Sequence, residues 1–169
     1  MKTKAILLLA GSLVASATMA ISSVLAAPTL IASKGPSAAP DGWKVLVDRS
    51  KTCQISVPSD WVVDKFSPSS ASAPDNKAGL TMHASPNQTL AKAKTTFEML
   101  FPPKKVIENS ATRAWDAYKP DSVAVDSPAV SWYVAIQVKT SVCAAQIDFK
   151  NPSLEAMMKQ IAESMSATK

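Results

Sequence analysis

One histidine, thirteen carboxylates and two cysteines bound the chemistry open to this 169-residue chain. His83 stands among Leu80, Met82 and Ala84 with no second ligand at helical or loop spacing. It reads as an ordinary histidine on the outward face of a strand rather than a metal ligand or general base. Serines are plentiful, but with His83 as the sole imidazole no serine triad suggests itself. Nucleophile-elbow, phosphate-loop, dinucleotide and zinc patterns are missing from the sequence. Asp116, Asp121 and Asp126 recur every five residues, a spacing that fits no known cation loop, and read as solvated turn residues. Asp60 and Asp64, around Trp61, read as strand-end charges before a hard-cation site. We therefore expect no catalytic residue, no metal site and no cofactor.

The cysteines carry a different message. Lys2 and Lys4 precede an apolar stretch that runs to about Ala20, and Val24-Leu25-Ala26 offers small residues for signal peptidase. Residues 1–26 are therefore expected to be a cleaved signal peptide, with Thr18-Met19-Ala20 as a second cleavage signal. Gly11, Ser12, Ser16 and Thr18 dilute the run below what a spanning helix needs, so no stable membrane anchor is expected after cleavage. The chain would then reside in the periplasm or be secreted. Two thiols in an oxidising compartment, Cys53 and Cys143, read as a disulfide. Each lies in a strand-like run, and we expect neighbouring strands of a single sheet to bring them together.

Loss of Lys2 and Lys4 lowers the net charge from +5 to +3. With lysines scattered among acids, no nucleic-acid partner is expected. Residues 27–41 are rich in Pro, Gly, Ser and Ala and read as a flexible linker, leaving 42–169 as one domain.

Within that domain, strands are expected at Trp43–Asp48, Thr52–Val57, Trp61–Val63 and Gly79–Ser85, the last with Leu80, Met82 and Ala84 inward. The Pro/Ser/Ala/Asn stretch from Ser67 to Lys77 reads as an exposed loop. Ser85, Pro86 and Gln88 form a capping-box pattern, with Thr89 as a competing cap. Leu90, Ala93, Phe97, Leu100 and Phe101 then mark one helical stripe that ends at Pro102-Pro103. Lys104–Asn109 and Thr112–Tyr118 read as strands, the second also admitting a helix. Val130–Lys139 and Val142–Phe149 form the clearest hairpin, and Asn151-Pro152 opens a closing helix with Leu154, Met157, Met158, Ile161 and Met165 inward. Strands in consecutive runs with intervening helices indicate an α+β fold: a central antiparallel β-sheet flanked by helices. Of four tryptophans, Trp132 is assigned to the core, while Trp43 and Trp61 are expected to cover a sheet edge. Trp115 shares its strand face with Arg113. Core burial is its first reading, and the pair Trp115 and Arg113 is the candidate partner contact.

Trp43-Lys44-x-Leu46-Val47-Asp48, followed by Cys53-x-Ile55-Ser56-Val57-Pro58-Ser59-Asp60-Trp61, resembles the opening of PsbP-like domains. There an aromatic-x-x-Asp strand precedes a strand–Pro–x–x–Trp hairpin. The similarity extends from about Trp43 to Met165, and Pro-x-x-Trp is a short motif. It implies an α-β-α sandwich, shared by the extrinsic photosystem II protein, DcrB-like periplasmic lipoproteins, Ran-binding relatives and secretion-effector chaperones. Nearly all of these act by binding a partner. The sequence lacks the histidine metal positions of the plant photosystem pattern and the lipobox cysteine of the DcrB pattern. A shared fold does not carry a partner with it.

Three functions compete. First stands a non-enzymatic protein-binding or assembly factor of the cell envelope, its envelope partner unidentified. The alternatives are a carboxylate-based hydrolase acting on envelope polymers, and a carrier of a small apolar ligand in a cavity lined by Met157, Met158 and Phe97.

Overall fold

Alternation in the first two strands closes a tight hairpin: β1 (Trp43–Val47) pairs antiparallel with β2 (Cys53–Pro58), Leu46 opposite Ile55. The computed structural model describes residues 40–118 and 130–168. The expected signal peptide, nearly all of the expected linker, Asp121 and Asp126 lie outside the described residues. Next come β3 (Val62–Val63), β4 (Ser70–Ser72), β5 (Ala78–Pro86), α1 (Leu90–Leu100), β6 (Lys105–Asn109) and β7 (Arg113–Tyr118). The hairpin β8 (Val130–Val138) and β9 (Ser141–Phe149) follows, then a 3-10 turn (Pro152–Leu154), α2 (Glu155–Glu163) and β10 (Ser166–Ala167).

Every strand pair is antiparallel, but the strands form two sheets. Seven strands run in the order β3-β4-β5-β9-β8-β7-β6, and three in the order β1-β2-β10. The α+β class holds in this coarse form, with a strand-rich body and two α-helices. Helix α1 covers one face of the large sheet. Helix α2 and the small sheet cover the other, so that face meets strands as well as a helix.

Cys53 of β2 and Cys143 of β9 are joined by a disulfide, Cα to Cα 5.7 Å. The expected placement needs correction, because the two strands belong to different sheets. Period-two alternation turns both sulfurs inward, and the bond crosses the core between layers. Around it pack Ile55, Val57, Met82, Ile147, Met158 and Ile161, all fully buried. Trp115, Trp132 and Phe149 add an edge-to-face ladder with centroids 5.1 and 5.0 Å apart, each contact worth about 0.5–1.5 kcal/mol.

Local chemistry moved several boundaries. Thr89 caps α1, its hydroxyl accepting from Lys92 N–H, whereas Ser85 and Pro86 remain in β5 opposite Val142 and Ser141. A proline ending a strand costs no ladder bond where the strand stops. The stretch read as an exposed loop contains β4, whose Ala71 pairs with Leu80 and is buried. Met165 leads into β10, which the sequence pattern did not reveal; it pairs with Gln54 and Cys53. Trp61 is buried in the core rather than lying over an edge.

Candidate functional site

The register of the large sheet lays out its α1 face in transverse rows. Asp116, Tyr133, Gln146 and Thr81 form one row; Ala114, Ala135, Ala144 and His83 form the next. Three alanines abreast leave a shallow trough between larger neighbours. Leu90 and Ala93 of α1 pack over these small side chains in the second core cluster. Leu90 N–H also donates to Gln137 Oε1 at 2.7 Å, which fixes the start of the helix to β8. Further along, Phe97 stacks on Tyr133 with centroids 3.9 Å apart and meets Tyr118 edge-on at 5.0 Å.

Beside the helix the trough stays open over β9 and β5. This groove, about 310 Å³, has Val142, Ala144 and Tyr133 toward the helix together with Ala93, Phe97 and Leu100. Thr81, His83, Ser85 and Gln146 supply its polar lining, and Gln88 and Thr96 complete it. His83 thus does face outward, as expected, but it faces into a groove. Crowding by protein lowers its pKa, which favours the neutral imidazole as both donor and acceptor.

Asp116 corrects the reading of a solvated turn residue. It is 1% exposed, on a strand covered on both faces. Neither carboxylate oxygen has a hydrogen-bond partner among the described residues, and Lys94 Nζ lies 3.8 Å away. That ammonium is shared with Glu98, to which it is bonded closely. Burial raises the Asp116 pKa, Lys94 pulls it down, and Glu98 pushes it up again. Tyr133 alongside is pushed up to about 12 by burial and by Asp116. Because the Asp116 pKa is raised on folding, its ionised form opposes folding near neutrality, and the opposition fades as falling pH protonates it. Lys94 keeps Glu98 if Asp116 is removed. Asp116→Leu is therefore expected to stabilise the protein by about 1 kcal/mol at neutral pH, with a gain that shrinks in acid. Urea unfolding at several pH values checks this; a loss of more than about 1 kcal/mol would show that Asp116 helps hold α1 down.

The candidate contact pair is not available to a partner. Trp115 is 3% exposed and packs edge-on to Trp132, which confirms its first reading as core. Arg113 is largely enclosed: its guanidinium donates to Ala162 O at 2.6 Å, pairs with Glu108 at 3.3 Å and lies 5.9 Å from the Trp115 ring centroid. The strand face they share looks toward α2, so the arginine ties β7 to that helix's last turn, where a cation suits the dipole. The carrier cavity also fails, because Met158 packs on the disulfide side of the sheet and Phe97 on the other.

Asp64 and Asp148 border a second groove of about 400 Å³ over β3, β4 and β5. Both are engaged locally: Asp64 Oδ1 accepts from Phe66 N–H at 2.7 Å, and Asp148 accepts from the Gln146 amide at 3.0 Å. Burial raises the Asp148 pKa against the pull of Ser131 and Gln146. Among the described residues, no group of three or more His, Cys, Asp or Glu side chains is placed to hold a metal ion.

Large exposed apolar side chains gather elsewhere, where α1 ends and β6 begins. Met99 is 79% exposed, Leu100 67%, Phe101 38% and Val106 50%, with Ile107 close to Phe101 in exposure. Val106 pairs with Asp116, which puts it on the α1 face of the sheet. β6 is an edge strand, and its register shifts between Val106 and Glu108. Sequence reasoning placed Leu100 and Phe101 on the buried stripe and so missed this shoulder. The pair Pro102-Pro103 was the available signal, since it ends the helix at Leu100 and Phe101 and leads straight into edge strand β6.

No protein-family profile matches the sequence, and no curated protein matches it. Among solved structures, the chain is similar to cyanobacterial PsbP (CyanoP) from Synechocystis sp. PCC 6803, solved in solution, at a TM-score of 0.53 and 8% identity. The match covers 78% of this chain and 95% of that one. At that identity the likeness is one of fold, and the fold is PsbP-like.

Proposed function

We propose that this protein is an exported, non-enzymatic binding or assembly factor of the cell envelope, and that it takes a protein partner on the shoulder formed by Met99, Leu100, Phe101, Val106 and Ile107. The observation that carries this reading is five exposed apolar side chains, at the end of α1 and on the edge strand β6 that follows it. Patches of that kind mark interaction surfaces, and an edge strand offers unpaired backbone groups to an incoming chain. The PsbP-like fold supports an accessory role without chemistry. Export is supported by the N-terminal lysines and apolar run, and by a disulfide suited to an oxidising compartment.

Affinity capture of the tagged protein from its own envelope extract tests the proposal, with a Met99→Glu/Val106→Glu variant alongside. A specific protein should be recovered with the wild type and depleted at least about tenfold with the variant, as expected when hot-spot side chains are replaced by charges. Recovery of the protein by itself, or of the same proteins with both forms, would overturn it.

A further inference from the structure

The open end of the alanine trough differs in character from the apolar shoulder. Its volume, about 310 Å³, lies at the lower end of the range of small-molecule sites. Side chains on the helix side, Ala93 and Phe97, are apolar, as are Val142 and Ala144 of β9. Opposite them, Thr81, His83 and Ser85 project from alternate positions of β5, with Gln146 beside them. No Lys, Arg, Asp or Glu lines the groove. Lys94 and Glu98 belong instead to the part of α1 that meets Asp116 on β7.

We propose that this groove binds a small, uncharged aromatic ring carrying a hydrogen-bonding substituent, such as a phenol. The ring lies in the groove against Phe97 and Leu100, and its polar edge meets the β5 side chains. Each part follows from the lining. An aromatic and aliphatic wall, Phe97 with Leu100, facing a polar strand suits a ring more than a flexible chain. Hydroxyls, an amide and an imidazole along one side supply both donors and acceptors for a neutral substituent. A charged ligand would be desolvated there without a counter-ion, which is costly.

Leu100 borders both the groove and the shoulder, but Met99, Phe101, Val106 and Ile107 do not line the groove, and the two tests alter different residues. The test of the groove is an amide-resolved NMR titration of the protein with p-cresol, with methyl glucoside as the comparison compound. Two variants accompany it. Thr96→Trp places a bulky ring in the groove from an exposed position on α1, and His83→Ala removes one polar contact at an exposed strand position. The expected result is saturable shifts at Thr81, His83, Ala144 and Gln146, with a dissociation constant on the order of 1 mM or tighter. Thr96→Trp should weaken binding at least about tenfold and His83→Ala severalfold, each variant retaining the wild-type spectrum elsewhere. Shifts that never saturate, or that persist unchanged in both variants, would overturn the site. Saturation by methyl glucoside with none by p-cresol would overturn the assigned ligand class.

Discussion

Replacing both Cys53 and Cys143 by alanine is expected to lower the stability of the protein by about 2–4 kcal/mol, the largest effect of any change considered for this fold. The bond spans 90 positions of sequence, and cross-linking such a loop removes conformational freedom from the unfolded chain worth up to about 4–5 kcal/mol. A layered core raises the importance of this one covalent link. It is the bond between the two sheets, and β1, β2 and β10 are too few and short to persist as an independent unit. Other attachments of β2 to its surroundings are noncovalent, among them the Ser164 hydroxyl, which accepts from Ser56 N–H at 2.9 Å and donates to Ile161 O at 2.7 Å. Both cysteines are fully buried, so alanine also leaves small voids, each adding to the loss. For a domain of this size the midpoint of thermal unfolding should fall by roughly 6–15 °C, by calorimetry or circular dichroism. The reduced wild type should show a similar fall. An unchanged midpoint in both would mean that the two layers hold together without the bond.

That cross-layer placement marks the limit of what alternation in the sequence conveys. Cys53, Ile55 and Val57 are legible as inward-facing, as are Trp132, Val134 and Ile136, because a period of two needs only one buried face. Which layer each strand joins is decided by long-range pairing, and two inward faces from different sheets look the same as two from one sheet. Asp116 shows the converse failure. Spaced five residues from two other aspartates, a carboxylate reads as a solvated turn residue. On β7 both faces are covered, by α1 and by α2 with the small sheet, so the polar position is buried as well. Ser70-Ala71-Ser72 carries loop-like composition but becomes a strand because β5 offers it a ladder, an instance of tertiary pairing overriding local preference. The groove was still less visible. Ala114, Ala135 and Ala144 are distant in sequence and become a trough only when the register sets them abreast. The outward alternation of Thr81, His83 and Ser85 was the legible half of it, without any indication of what stands opposite.

A single carboxylate should have the second-largest effect, through the backbone it holds. Asp48 follows β1 at a turn where Lys51 takes a left-handed conformation, φ 55°, and only 5% of the Asp48 surface is exposed. Its Oδ1 accepts from Thr52 and Cys53 N–H, each at 2.7 Å, while Oδ2 accepts from Ser50 N–H at 2.8 Å and from the Ser50 hydroxyl. Three backbone donors would lose their partner in Asp48→Ala, and Cys53 N–H would lose it within the core. The expected cost is about 1–3 kcal/mol, with Asp48→Asn intermediate because it keeps one acceptor oxygen. Burial pulls the Asp48 pKa up, but the bonds from Ser50, Cys53 and Thr52 together outweigh it and hold the group below its ordinary value. A depressed carboxylate contributes stability that is complete above the unfolded-state pKa, near 4, and is lost as pH falls through the folded value. Asp116 and Asp148 are shifted the other way, so acidification first relieves their buried charge and only later breaks the Asp48 turn. The stability difference between wild type and Asp48→Asn should consequently hold steady from neutrality to about pH 5 and then shrink in stronger acid. Denaturant midpoints measured across that range decide the matter: a difference that stays constant at the lowest pH would mean the carboxylate's charge has no part in holding the turn.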